Sequence, residues 1–241
     1  MINLQNVTKT FRLDTKTVVT PIHNVDLNIT EGEIIVVIGR SGSGKTTLLN
    51  LIAGLVRPTD GHVLFNNIDL ETMTDKQLSA LRSQKMGFIF QFPSLFPNLT
   101  VLENITLPIM FTIKSKRREN SIKATTLLDN LGLKDKHRVF PRQLSAGEQK
   151  RVALARALIN NTPVILADEL TSDLDIRTEQ EIMEILQDIN SKGVTIIMVT
   201  HNLNLVSYAT RAFITKNGNL EDISSFKNLP NLESHLITKP H

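Results

Sequence analysis

The stretch Ile34-Ile35-Val36-Val37-Ile38-Gly39-Arg40-Ser41-Gly42-Ser43-Gly44-Lys45-Thr46-Thr47 decides the fold. Its opening run of β-branched residues reads as a strand buried on both faces, and such strands belong to a parallel sheet covered by helices. The segment from Gly39 to Thr46 fits G-x-x-x-x-G-K-[ST], and the run Thr47 to Ala53 behind it is amphipathic. Strand, loop and helix therefore come in the order a phosphate-binding loop requires. Glycines are needed there so that successive backbone N–H groups can turn inward around phosphate oxygens, above the positive end of the next helix. Gly39, Arg40, Ser41, Gly42, Ser43, Gly44, Lys45, Thr46 and Thr47 are thus expected to line a triphosphate. Lys45 would reach the β- and γ-phosphates, and the Thr46 hydroxyl would ligate Mg2+. The plain alternative is a glycine-serine loop that only turns the chain; the flanking strand and helix argue against it.

Two further apolar runs, Val164 to Ala167 and Ile196 to Val199, read as strands of the same kind. The first ends in Asp168-Glu169, which places both acids at the carboxyl edge of the sheet, where ligands bind in open α/β folds. Asp168 is expected to hold Mg2+, and Glu169 to orient and polarise an attacking water. Alone, such a pair is as often a solvated strand end as a site; alongside the phosphate loop the site is the favoured reading. From Asp175 to Asn190, Ile182, Ile185, Leu186 and Ile189 share one helical face, which predicts a helix covering the sheet. Near the N-terminus, Leu4 to Phe11, Val18 to Val25 and Asp26 to Ile29 read as strands of an antiparallel piece, joined by His62 to Phe65. From about Phe92 to Asn160 the pattern turns helical, with a capping box at Thr100 to Glu103 and a helix from about Lys116 to Leu131. The expected fold is α/β, with a mostly parallel core sheet, a small antiparallel β-subdomain and an inserted helical subdomain. The expected boundaries are a core of 1–91 and 161–220, a helical subdomain of 92–160 and a tail of 221–241.

Composition bounds the reading. Among 241 residues, basic side chains exceed acidic ones by only three, and Lys114 to Arg118 is the one dense basic run, so nucleic acid is not an expected partner. The absence of cysteine excludes a disulfide framework and thiolate metal sites. No secretory leader and no apolar run of membrane-spanning length is visible, so any membrane role is expected to come through a partner.

A phosphate loop alone leaves several enzyme types open, and no N-K-x-D guanine motif is present. Leu144-Ser145-Ala146-Gly147-Glu148-Gln149-Lys150-Arg151-Val152-Ala153-Leu154-Ala155-Arg156-Ala157-Leu158 narrows them. Read locally, Ser145 to Glu148 is a capping box opening a helix, and a capped helix tip presents N–H groups and positive dipole to an anion. The segment resembles the signature of ATP-binding cassette (ABC) ATPases, and the other elements of that family follow in order. The resemblance implies that Gln91 contacts Mg2+ and the attacking water, that His201 contacts the γ-phosphate, and that Phe11 stacks on adenine. Thr171 to Asp175 stands where the family has a loop crossing to the opposite subunit. Ser145, Gly147 and Glu148 of one copy are implied to cap the ATP held by Lys45 of another, making a head-to-tail homodimer with ATP and Mg2+ between the copies.

Two positions depart from the usual L-S-G-G-Q: Ala146, tolerable only at negative φ, and Glu148 in place of glutamine. Retained hydrolysis is expected. The segment Met86 to Pro108 looks like the macrolide-export, lipoprotein-release and cell-division cassettes, which implies an integral membrane permease subunit docking near Gln91 to Pro97, at the cytoplasmic side of the membrane. Phe92, Leu95 and Phe96 are the candidate apolar contacts, with a buried contact inside the helical lobe as the equal alternative for the three. Mechanical signalling across the envelope remains an alternative to transport, and a DNA- or ribosome-directed ABC ATPase a more distant one.

Overall fold

The computed structural model describes residues 1–12, 14, 17–110 and 117–225, without the side chains of residues 110, 117 and 118. Most of the basic run at 114–118, the first residue of the helix expected from 116, and the tail beyond 225 lie outside the described residues. The chain forms two compact units, one of residues 1–78 with those from 195 onward, the other of 79–194.

The first unit begins with β1 (Ile2–Arg12), β2 (Val18–Ile29), β3 (Ile34–Ile38), α1 (Lys45–Ile52), β4 (Asp60–Phe65) and β5 (Ile68–Asp69). Four of these strands make an antiparallel sheet in the order β2-β1-β4-β5. Ile2 and Leu4 face the core at even positions, and Val7 faces it at an odd one. The switch is possible because Asn6 takes a left-handed φ of 51° and the register with β2 shifts between Leu4 and Val7. One extra residue bulges, and the apolar side chains stay on one face. Asn24, at φ 47°, sits within β2 in the same way. The break expected between Val25 and Asp26 is absent: β2 is one continuous strand, and its extra residue lies just earlier, between Ile22 and Val25.

The unit is completed by β8 (Thr195–Thr200), β9 (Arg211–Lys216) and β10 (Asn219–Asp222). β3 pairs in parallel with β8 on one side and β9 on the other, Ile34 to Ile38 opposite Ile196 to Thr200 and Ile35 to Ile38 opposite Arg211 to Ile214. Every residue of β3 is buried, as its unbroken apolar run requires. β9 and β10 form an antiparallel hairpin that the sequence reading did not anticipate.

The boundary between the units falls within α2 (Asp75–Lys85). The second unit continues with β6 (Met86–Ile89), α3 (Val101–Met110), α4 (Arg117–Asn130), α5 (Ala146–Leu158), β7 (Val164–Asp168) and α6 (Ile176–Ser191). β6 and β7 are parallel, Met86 opposite Val164 and Ile89 opposite Ala167. α5 lies hard against β6: a Cβ at Gly87 would stand 2.5 Å from the Ala157 carbonyl oxygen and 2.8 Å from the Ala157 Cβ. Only small residues on both sides allow that approach. α6 is capped by Asp175, whose carboxylate accepts from Thr178 N. It buries Ile182, Met183, Leu186 and Ile189, with Ile185 half-buried at the edge of the stripe. The capping box expected at Thr100 is present, with Glu103 Oε2 accepting from Thr100 N at 2.8 Å. Among the described residues no helix is long and apolar enough to cross a membrane.

Candidate nucleotide site

The first unit carries the phosphate loop. Gly44, the N-cap of α1, has φ 97°, and a Cβ there would fall 2.2 Å from the Pro21 carbonyl oxygen. Glycine is required on both counts. At Gly39 the constraint is space alone, since a Cβ would meet Thr215 Oγ1 at 2.2 Å and Ser43 Oγ at 2.5 Å. Those two hydroxyls hydrogen-bond to each other at 2.6 Å, fixing the far wall of the loop. Lys45 is only 7% exposed. Its ammonium folds back across the loop and donates to the Gly39 carbonyl at 2.8 Å and the Arg40 carbonyl at 3.1 Å. A side chain of this length can exchange those carbonyls for phosphate oxygens without moving its backbone. Arg40, Ser41, Gly42 and Thr46 are exposed, and Thr47 is half-buried. The first turn of α1 has no acidic residue and no capping side chain, so its positive end is left for an anion.

Two other expected residues lie in this unit. His201 follows directly on β8 and is exposed. Phe11, near the end of β1, is 36% exposed, and the Lys9 ammonium lies 5.0 Å from its ring centroid. A part-exposed ring with a neighbouring cation suits a base stack beside phosphates.

The second unit carries the remaining residues. Asp168 ends β7, half-buried, and Glu169 follows at φ 48°. A left-handed glutamate costs roughly 1–2 kcal/mol, a strain typical of residues aimed for a purpose. Ser172 holds the turn by donating to the Glu169 carbonyl from its N–H at 3.1 Å and its hydroxyl at 2.7 Å. The Thr171 hydroxyl beside it is buried and has no hydrogen-bond partner among the described residues.

At the signature, Ser145 is the N-cap of α5. Its Oγ accepts from Glu148 N at 3.2 Å, and its own N–H donates to Glu148 Oε2 at 2.8 Å. Glu148 Oε1 pairs with the Lys136 ammonium at 3.0 Å. The Ser145 N–H, reinforced by Lys136, holds the Glu148 carboxyl below its ordinary range. Both oxygens of Glu148 are therefore engaged within the chain. Ala146 is exposed and its φ is not positive, which meets the condition its Cβ imposes. Gly147 is buried, and a Cβ on it would meet Thr178 Cγ2 at 2.6 Å, so this glycine lets the tip of α5 close on the start of α6.

Gln91 follows β6 with its side chain exposed. The Lys150 ammonium donates to its carbonyl. Lys150 is 4% exposed; burial pulls its pKa down, and the carboxylates of Asp173 and Glu169 oppose that shift. Arg156 donates to the Pro93 carbonyl at 2.7 Å and to the Ser94 carbonyl at 2.8 Å. Just beyond Gln91, Phe92 is 71% and Phe96 53% exposed, while Leu95 is half-buried. Lys150, Arg156 and Thr215 were not singled out by motif. The first two lie inside the signature segment without an assigned task, and nothing local marks Thr215, whose partner Ser43 is far away in sequence.

The fold brings the phosphate loop, Phe11 and His201 into one unit, and Gln91, Ser145 to Glu148, Asp168 and Glu169 into the other. The donors expected for Mg2+, a hydroxyl at Thr46, an amide at Gln91 and a carboxylate at Asp168, are all hard oxygen ligands of the kind that ion prefers.

Comparison with known proteins gives the same grouping. A family model described as ABC transporter matches residues 22–172. An ABC transporter ATP-binding protein of Methanocaldococcus jannaschii, MJ0796, is 41% identical over 227 residues, covering 92% of this chain and 95% of that one. A dimeric structure of MJ0796 superposes with a TM-score of 0.85 at 41% identity, over 92% of this chain and 97% of that one. A second, a dimer in a post-hydrolysis state bound to ADP and Pi, gives 0.82 at 39% identity, over 92% and 99%. A macrolide export ATP-binding/permease protein, MacB 2 of Aeromonas hydrophila subsp. hydrophila, is 43% identical over 87% of this chain, which spans only 32% of that relative's length. With the signature helix and the phosphate loop both formed as the resemblance requires, the chain belongs to the ABC transporter family and is one of its ATP-binding, ATP-hydrolysing cassettes.

Proposed function

We propose that this cassette binds Mg-ATP between two copies of itself, head to tail, and passes the resulting closure to an integral membrane permease. Lys45 exchanges the Gly39 and Arg40 carbonyls for β- and γ-phosphate oxygens, while the N–H groups of the loop and of the first turn of α1 bind the remaining charge. Phe11 stacks on adenine. Thr46, Asp168 and Gln91 hold Mg2+, which supplies neutralisation of charge on the phosphates when bound. Glu169, already set in a strained conformation, orients and polarises the attacking water, and His201 donates to the γ-phosphate. Ser145 and Gly147 present the tip of α5 to the ATP of the other copy; Glu148 shapes that tip through its bonds to Ser145 and Lys136.

The observation that carries this reading is the pairing of a formed phosphate loop with a capped, exposed signature tip. It is supported by the dimeric state of the solved MJ0796 structures. A membrane partner is supported by the exposed Phe92 and Phe96 beside Gln91 and by the macrolide-export relatives, which unite cassette and permease in one chain. A place on the cytoplasmic face of the membrane follows from that partner.

The absence of native cysteine makes the test direct. With Arg40→Cys and Ala146→Cys in a Glu169→Gln background, a short bifunctional thiol reagent is expected to join two chains only in the presence of Mg-ATP. Linkage that ignores nucleotide, or none at all, refutes the head-to-tail arrangement.

A further inference from the structure

The segment after β6 presents exposed aromatic side chains on a backbone that is held almost everywhere. The Gln91 carbonyl accepts from Lys150, the Phe92 carbonyl from Ser94 Oγ at 3.1 Å, and the Pro93 and Ser94 carbonyls from Arg156. Further on, Asn104, 0% exposed, accepts from Phe96 N at 2.7 Å and donates to the Phe96 carbonyl at 3.1 Å and the Leu99 carbonyl at 3.0 Å. Ser94 is at φ 47°, a conformation that needs such support. Two of the holding side chains are cations of α5 placed on neutral carbonyls of one short segment. Lys150 divides its charge between this carbonyl and the Asp173 and Glu169 carboxylates, while the half-buried Arg156 guanidinium turns two donors onto the Pro93 and Ser94 carbonyls. Breaking the Lys150 bond would strand a donor of a buried cation together with a carbonyl, and α5 is a continuous helix along whose axis Arg156 stands about 16 Å from Ser145.

We propose that Lys150 and Arg156 are positioning residues that fasten segment 91–94 to the signature helix, so that a load on Phe92 and Phe96 reaches Ser145 through α5 as one rigid piece. The proposal rests on the reading of Phe92 and Phe96 as the docking contacts and of Ser145 as the trans ATP contact. Docking then sets how the signature tip is presented, and ATP capture by the tip sets how the aromatic pair is presented to the partner.

Two measurements on the full chain test it. In steady-state hydrolysis, Arg156→Met is expected to lower kcat about tenfold with KM for Mg-ATP changed less than about twofold, and Arg156→Lys, which restores a cationic donor, to recover most of that loss. Parental kcat in Arg156→Met, or no recovery in Arg156→Lys, overturns it. The second measurement leaves the clamp intact and so does not depend on the variant folding. Spin labels on Phe92→Cys, within the segment, and on Arg142→Cys, in the turn that Gln149 of α5 holds through the Pro141 and Leu144 carbonyls, diluted into unlabelled chain, are expected to give the same distance distribution without nucleotide and with Mg-ATP. A shift or broadening beyond about 3 Å means that segment and helix move separately, and overturns the proposal. Glu169→Gln run in parallel separates the two levels: parental turnover there retires the catalytic reading, and the label distances still judge the clamp.

Discussion

Replacing Glu148 by glutamine restores the usual family residue, and the structure predicts that the change destabilises this chain. Glu148 makes three favourable contacts: its Oε2 accepts from Ser145 N, its Oε1 pairs with Lys136 at 3.0 Å, and its charge sits in the first turn of α5. Glutamine keeps the first, because the capping box works with either residue. It loses the ion pair, about 0.2–1 kcal/mol for a partly exposed pair, and the charge at the helix N-terminus, about 0.3–1 kcal/mol. The sum is about 0.5–2 kcal/mol, which for a chain of this size lowers the midpoint of thermal unfolding by about 1–8 °C. Folding depresses the carboxyl pKa, so the stability Glu148 contributes is present above its unfolded value near 4.3 and is lost as pH falls through the lower folded value. The difference between parent and variant is therefore full at pH 7 and fades below about pH 4. Urea denaturation across that range, without nucleotide, measures it. Combining Glu148→Gln with Lys136→Met isolates the pair term. A variant as stable as the parent at pH 7, or a difference that persists at pH 3, refutes the reasoning.

Three other outcomes are expected. Glu169→Gln binds Mg-ATP, accumulates as an ATP-bound dimer in size-exclusion chromatography, and hydrolyses at under about a hundredth of the parental rate; turnover near the parental value would show that another group positions the water. Gly44→Ala forces a Cβ against the Pro21 carbonyl at φ 97°, and is expected to cost about 2–4 kcal/mol in chemical denaturation of the nucleotide-free chain, as well as ATP binding. Phe11→Ala is expected to weaken binding of ATP and ADP to the same degree, about tenfold by titration calorimetry, because the proposed stack engages the base and not the γ-phosphate; a selective loss of ATP binding would contradict the stacking role.

Much of the candidate site is legible in the sequence alone. Phosphate loop, capping boxes and signature are short-range devices: each needs a few residues at fixed spacing, because a helix start or a tight turn is closed by neighbours in the chain. The same holds for β3, whose apolar run announces burial on both faces. Strand limits were less legible. In β2 the alternation of apolar positions slips between Ile22 and Val25, and only the register with β1 shows that the slip is a bulge within one strand.

What the amino-acid order determined by itself is the set of local motifs, the chemistry they can perform and the family they belong to. What only the tertiary structure decided are the pairings made at long range. Thr215 closes the wall behind Gly39, Thr178 leaves room for nothing larger than Gly147, Lys136 occupies the carboxylate that replaces the usual glutamine, and Lys150 and Arg156 hold the backbone of 91–94. The physical reason is that contacts between residues far apart in sequence depend on how whole elements pack, and side chains that use backbone carbonyls as partners leave no complementary residue in the sequence to reveal them.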